Sequence, residues 1–331
     1  MGPVNNGDKD MAVSKKLFYG KKGLAYTIIA IVLVVVSVAV FSSRESFKLR
    51  DETYIEEVRI QTMNEFVKDV QKDLTRGMKI SSHRALLAIL AHETSSGVFV
   101  QDSKASFAEA FFNGTVNGSI MDIMKNASFT NWTQRIKMQA EKIGIGIGLE
   151  AISLSVEHVS PWDISINASV IINVSDSKGA ASWKIAKNLS TELSIRDFED
   201  PLYIIKTRGR VPNVVKETDV GFSSLENLKR HINRSFYIAS AAAPSYLMRL
   251  EGNLGASEFG IESIVNINEI TQQDLEVFAR SNVDYIYFGS QSHTNCIVNE
   301  TLSSEYSWFR LDSGSEPLNH LDNYNAHCKA E

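Results

Sequence analysis

The residues whose types could do chemistry lie near the end of the chain. His293 and Cys296 in "HTNC", with His327 and Cys328, supply two imidazoles and two thiols, the ligand types of a closed tetrahedral zinc site. Side chains at the adjacent positions 327 and 328 point apart, however, and two cysteines in an oxidising compartment pair with each other. The expectation is a Cys296–Cys328 disulfide and no metal. The other constellations are weaker. His92-Glu93 has no second histidine four residues on, so it is not a zinc-protease helix. Asp197, Glu199 and Asp200 offer oxygens, but without the alternating acidic frame of a calcium loop, and Pro201 beside them predicts a solvated turn. "GIGIG" follows a helical pattern and feeds a strand, the reverse of a dinucleotide fingerprint. No Gly-x-Ser-x-Gly elbow is present. No catalytic residue, metal or cofactor is therefore expected. A cleft gathering His293, Asp312 and His320 would instead favour an anchored hydrolase.

A second set of residues is defined by spacing alone. Asn113, Asn117, Asn126, Asn131, Asn167, Asn173, Asn188, Asn233 and Asn299 each begin an Asn-x-Ser/Thr triplet, the acceptor for N-linked glycans. Chance would give about three or four in a chain of this composition. All nine follow residue 43.

What divides the chain there is an apolar run. Leu24 to Ser43 carries no charge, and about 20 residues at 1.5 Å rise make a helix of about 30 Å, enough to cross the hydrocarbon core of a bilayer. A cleavable secretory signal has a shorter core and a small-residue cleavage site, for which "VFSSRE" is a poor match. Lys9, Lys15, Lys16, Lys21 and Lys22 precede the run, and the basic residues behind it are mixed with Glu45, Asp51 and Glu52. The expectation is a single-pass protein of the cell membrane with a cytoplasmic N-terminus and an extracellular C-terminal head. Residues 1–23 form a basic tail too short to fold alone, and 24–43 the span.

Beyond the span, Met63, Phe66, Val67, Val70, Leu74 and Met78 recur at three- and four-residue steps opposite Glu65, Lys68, Asp69, Lys72 and Asp73. This predicts that the span continues as an amphipathic helix from Arg44 to Thr75, or restarts after a kink near Asp51. Separate helices are expected over 81–93 with Ser82 as cap, from Ser103, and from 119 through 143. Residues 44–145 are thus read as helical stalk and head. The period then changes to two. Over 146–200, Ile152, Leu154 and Val156, then Ile164 to Val174, then Trp183, Ile185, Leu189, Leu193 and Ile195 alternate with polar residues. The turns "SPWD" and "SDSKG" link them as an antiparallel meander with one dry face. Residues 201–331 are expected to add a helix capped near Ser224 and ended by Pro244, a helix from Thr271, a strand over "VDYIYF" and a loop-rich tail. The fold class is α+β.

The basic stretch ending in Lys21, Lys22 and Gly23, the apolar run, the amphipathic helix and the triplet-rich head together resemble archaeal type IV pilin-like proteins. The resemblance covers roughly residues 15 to 80. It implies cleavage by a dedicated peptidase between Gly23 and Leu24, after which the apolar helix stays in the membrane or packs in a filament with other copies or pilin-like subunits. The family's glutamate at the fifth position after the cut is replaced by Ile28.

Composition bounds the partners. The chain has 331 residues, 44% hydrophobic and 22% charged, with a net charge of −5 and scattered Lys and Arg after the span. It has material for a folded head and no basic footprint for nucleic acid. The expected partners are the lipid bilayer and other subunits of its kind. The expected role is structural or adhesive, with an ectoenzyme or a ligand- or partner-binding ectodomain as the rival readings.

Overall fold

The computed structural model describes residues 21–218, 220, 225–291, 293–299, 304–314 and 319–329. The chain divides into two compact units, Met1–Thr62 and Met63–Glu331. Helix α1 runs Lys21–Ser96 without a break at Asp51. In the first unit its window Tyr26–Ser43 has a mean hydropathy of 2.5 and no buried residue, so this helix is long and apolar enough to cross a membrane.

In the second unit α1 buries Met63, Val67, Val70, Leu74 and Met78, the stripe its spacing predicts. The separate helix expected over 81–93 is the last part of α1 itself. Gly77 does not break α1, because it marks a close approach: a Cβ there would lie 2.6 Å from Trp132. Ser82 is consequently a buried mid-helix residue and not a cap, and its neighbour Ser81 donates to the Ala127 carbonyl. Helix α2 (Ser103–Asn113) is capped by Asp102, whose carboxylate accepts from the Ala105 amide. Ser103, expected at the start, is the first helical residue and binds Glu251.

The helix expected from 119 begins later. Strands β1 (Thr115–Val116) and β2 (Ser119–Ile120) form a hairpin through Asn117-Gly118, both in the left-handed region that such a two-residue turn requires. Glu109 accepts from both turn amides. After a 3-10 turn over Asp122–Met124 and a left-handed Asn126, helix α3 (Phe129–Lys142) starts from its cap Ser128.

The meander forms as β3 (Ile145–Ser160), β4 (Asp163–Asp176) and β5 (Ser182–Ser194), in the order β3-β4-β5 and antiparallel. Ser160 donates to Asp163 in the first turn, and Asp176 accepts from the Lys178 and Ala180 amides in the second. Ile164, Ile166, Ala168, Val170, Ile172 and Val174 are all buried and share a core with the α1 stripe. One inward assignment fails. The register shifts between Ala151 and Ser153, and this bulge leaves Ile152 61% exposed. Gly146 and Gly148 lie inside β3 and not in a loop.

The C-terminal part departs furthest from expectation. Asp197 lies in an exposed turn and Glu199 is exposed, as expected, but Asp200 is buried as the N-cap of α4 (Pro201–Thr207), with Pro201 in its first turn. Helix α5 (Leu225–Arg234) ends well before Pro244, because the chain turns at Ser235, left-handed, into strand β6 (Tyr237–Ala239). The cap expected at Ser224 lies outside the described residues. Helix α6 (Tyr246–Leu250) follows, and then β7 (Ile261–Ser263), antiparallel to β6. Asn266 caps α7 (Ile267–Gln272), which ends about where a helix was expected to begin. "VDYIYF" is the short helix α8 (Asp284–Tyr287), buried on all sides, so no alternation is imposed on it. Strands β8 (Asn295–Ile297) and β9 (Arg310–Asp312) pair, and α9 (His320–Asn323) is capped by Asn319.

Candidate functional site

The densest chemistry among the described residues lies on the two sides of β7. A strand sends successive side chains to opposite faces, so Glu262 and Ser263 face different surroundings.

On the Ser263 side stands Arg249, fully buried on the last turn of α6. Its Nη1 donates to Asp200 Oδ2 at 2.6 Å and to Asp284 Oδ2 at 3.0 Å, and its Nη2 to Asp284 Oδ1 and the Ile261 carbonyl. Asp200 caps α4 and Asp284 opens α8, so one guanidinium ties down the starts of two short helices. Each carboxylate is further satisfied. Tyr237 Oη and the Leu202 amide donate to Asp200, and the Ser263 amide and hydroxyl donate to Asp284. Burial pushes Asp284 above the usual carboxylate range, with Arg249 opposing it. For Arg249 burial acts downward, but the two aspartates outweigh it and hold the guanidinium charged.

On the other side His320 sits between two carboxylates. Nδ1 lies 2.8 Å from Asp312 Oδ2, and Nε2 lies 3.2 Å from Glu262 Oε2. Ser281 donates to Asp312 and Tyr324 to Glu262. Burial works against charge on the ring, yet the bonds it donates to Asp312 and Glu262 raise its pKa to about 10. Burial likewise acts upward on both acids, and the bonds and charge of His320 bring each below its ordinary value. The result is an imidazolium with both nitrogens occupied. Such a ring has no free nitrogen to take a proton from a substrate.

The trio His293, Asp312 and His320 is thus only partly assembled. Asp312 and His320 meet, Glu262 is the third member, and His293 instead lines a cleft of about 510 Å³ with Leu254, Tyr285, Ile286 and Gly289. Cys296 and Cys328 are joined, S–S 2.07 Å. His327 is exposed, and its carbonyl accepts from the Asn299 amide. Among the described residues no three His, Cys, Asp or Glu side chains converge on a metal position. Asp197 and Glu199 are exposed while Asp200 is buried. Glu93 is buried on α1, where burial pushes its carboxyl up to about 9 and its Oε1 accepts from the Val100 amide.

All nine triplet asparagines are exposed. Asn167, Asn173 and Asn188 project from the wet face of the meander, Asn131 from the first turn of α3 and Asn117 from the hairpin turn. Gly23 and Leu24 lie in the first turn of α1.

The two networks were not visible in the sequence as sites. Asp200-Pro201 does carry a helix-start signal, and Arg249 is a lone charge inside the apolar run "YLMRL". No protein-family model matches the chain, and neither a curated protein nor a solved structure shows significant similarity to it.

Proposed function

We propose that the chain is a single-pass membrane protein whose head, with a structural or adhesive role, stands outside the cell. Residues 24–43 cross the bilayer, the preceding basic residues stay in the cytoplasm, and the head carries N-linked glycans. The observation that carries this reading is the exposure of all nine acceptor asparagines, in a chain where chance supplies about three or four triplets. The apolar window and the joined cysteines support it, since disulfides persist in oxidising compartments. A pilin-like subunit is the narrower form of the proposal, resting on Lys21, Lys22 and Gly23.

The test is the intact mass and N-terminal sequence of the protein purified from its native membranes. Glycan mass on the triplet asparagines is expected. A first residue of Leu24 supports the pilin-like form, whereas Met1 or Gly2 leaves a permanent anchor. Recovery of unmodified protein in the soluble fraction would overturn the proposal.

A further inference from the structure

A second cleft, of about 560 Å³, lies at the end of α4 against the segments that follow α7 and close α8. Its size falls in the range of small-ligand sites. Four cations line it: Lys206, Arg208, Arg210 and Arg280. Arg210 Nη1 donates to the Gln273 carbonyl at 3.0 Å, and Arg280 Nη1 to the Gly289 carbonyl. Each guanidinium is thereby held by one terminal nitrogen on the cleft wall. Lys206 and Arg208 are exposed. Asp274 and Glu276 line the same cleft, and among the described residues no ion pair joins any of these six side chains. Half-buried Phe278 adds ring surface, with the Arg280 guanidinium 5.0 Å from its centroid.

The mixture is selective. Guanidiniums pair with carboxylate or phosphate, but Asp274 and Glu276 weaken the pull on a compact dianion and offer it no hydrogen-bond donor. A ligand with hydroxyl groups beside its anionic group would instead donate to those two carboxylates. A ring with an apolar face would pack on the aromatic surface.

We infer that this cleft binds a sugar acid, a hydroxylated ring bearing a carboxylate, of the kind found in acidic polysaccharides. The carboxylate lies against the arginines, the hydroxyls against Asp274 and Glu276, and the ring against Phe278.

The experiment is titration calorimetry on the purified full chain in detergent, with digalacturonate, the neutral disaccharide lactose and inorganic phosphate as probes. Saturable binding of digalacturonate that weakens with salt, with lactose and phosphate each at least about tenfold weaker, is expected. Arg208→Gln combined with Lys206→Gln should weaken digalacturonate binding at least about tenfold. Asp274→Asn should weaken digalacturonate but not phosphate. All three positions are exposed, so these variants keep the fold, which near-UV circular dichroism verifies. Equal binding of lactose, tighter binding of phosphate, insensitivity to the charge variants or no saturable binding would each overturn the assignment. Binding to purified protein is read independently of the membrane location proposed above, so the two readings fail separately.

Discussion

The core around the meander and the core of the C-terminal part differ in what fills them. The first joins the dry face of β4 and Val67, Val70, Leu74 and Met78 of α1 in one buried cluster without a charged member. The second surrounds Tyr203, Tyr287, Phe309 and Leu311 with buried charges: Arg249 with Asp200 and Asp284, and His320 with Glu262 and Asp312. Long strands and a long helix need only apolar burial to hold their register. Helices of four to seven residues cannot stand on propensity, so directional pairs fix where each one starts. Buried ions are poor sources of net stability but exacting about geometry.

The largest break in this contrast is expected from Arg249→Leu. It leaves two aspartates buried without a cation, and the loss should be about 3–5 kcal/mol in urea unfolding. If the loss stays below about 1 kcal/mol, the aspartates do not depend on Arg249. Cys296→Ser with Cys328→Ser opens a loop of sequence separation 32 and should cost about 3–4 kcal/mol. Reduction of the wild type should reproduce the effect.

His320→Gln should cost about 3 kcal/mol at pH 6 and also change the pH profile. Its folded pKa of about 10 stands above the ordinary 6.5, since the bonds to Asp312 and Glu262 outweigh burial. The stability it contributes is therefore complete below about pH 6.5 and is lost as pH rises toward 10. Subtracting the variant's profile from the wild type's should leave a slope in that window and a second, of opposite sign, at acid pH, where Asp312 and Glu262 lose the lowering that His320 gives them. Glu93, raised by burial to about 9 from 4.5, adds a separate loss between those values that both proteins share.

In the meander, Ile166→Val should cost only about 1 kcal/mol, with no dependence on pH. The smallest effect belongs to Asn167→Gln on the wet face. Stability of unglycosylated protein should move by less than about 0.5 kcal/mol, while protein from native membranes should lose one glycan's mass.

The same contrast decides what could be seen in the sequence. Alternation in β4 and the three-four spacing on α1 are legible because each element has one wet face. Val283 to Phe288 has none, since all six residues are buried, so nothing in the run separates a strand from a helical turn. Gly77 has the look of a helix breaker, and only the position of Trp132 shows why α1 passes through it. The bulge that exposes Ile152 depends on pairing with β4 and leaves no mark in "ISLSVE". Of the charged networks, the helix-start signal at Asp200 is local and readable. The partners of Glu262 and Asp200 lie 58 and 49 residues away in the sequence, beyond any spacing rule.

That separation sets a clock on biosynthesis. At roughly 5–20 residues per second, Glu262 is added to the chain about 3–12 s before His320. The Ser263 flank of β7 can close once Asp284 has followed, 21 residues later, but the Glu262 flank must wait for His320. The meander needs no such wait, as β3, β4 and β5 are consecutive. The protein should therefore be made with one half already set and the other held open, and it is in that interval that a chaperone would find something to hold.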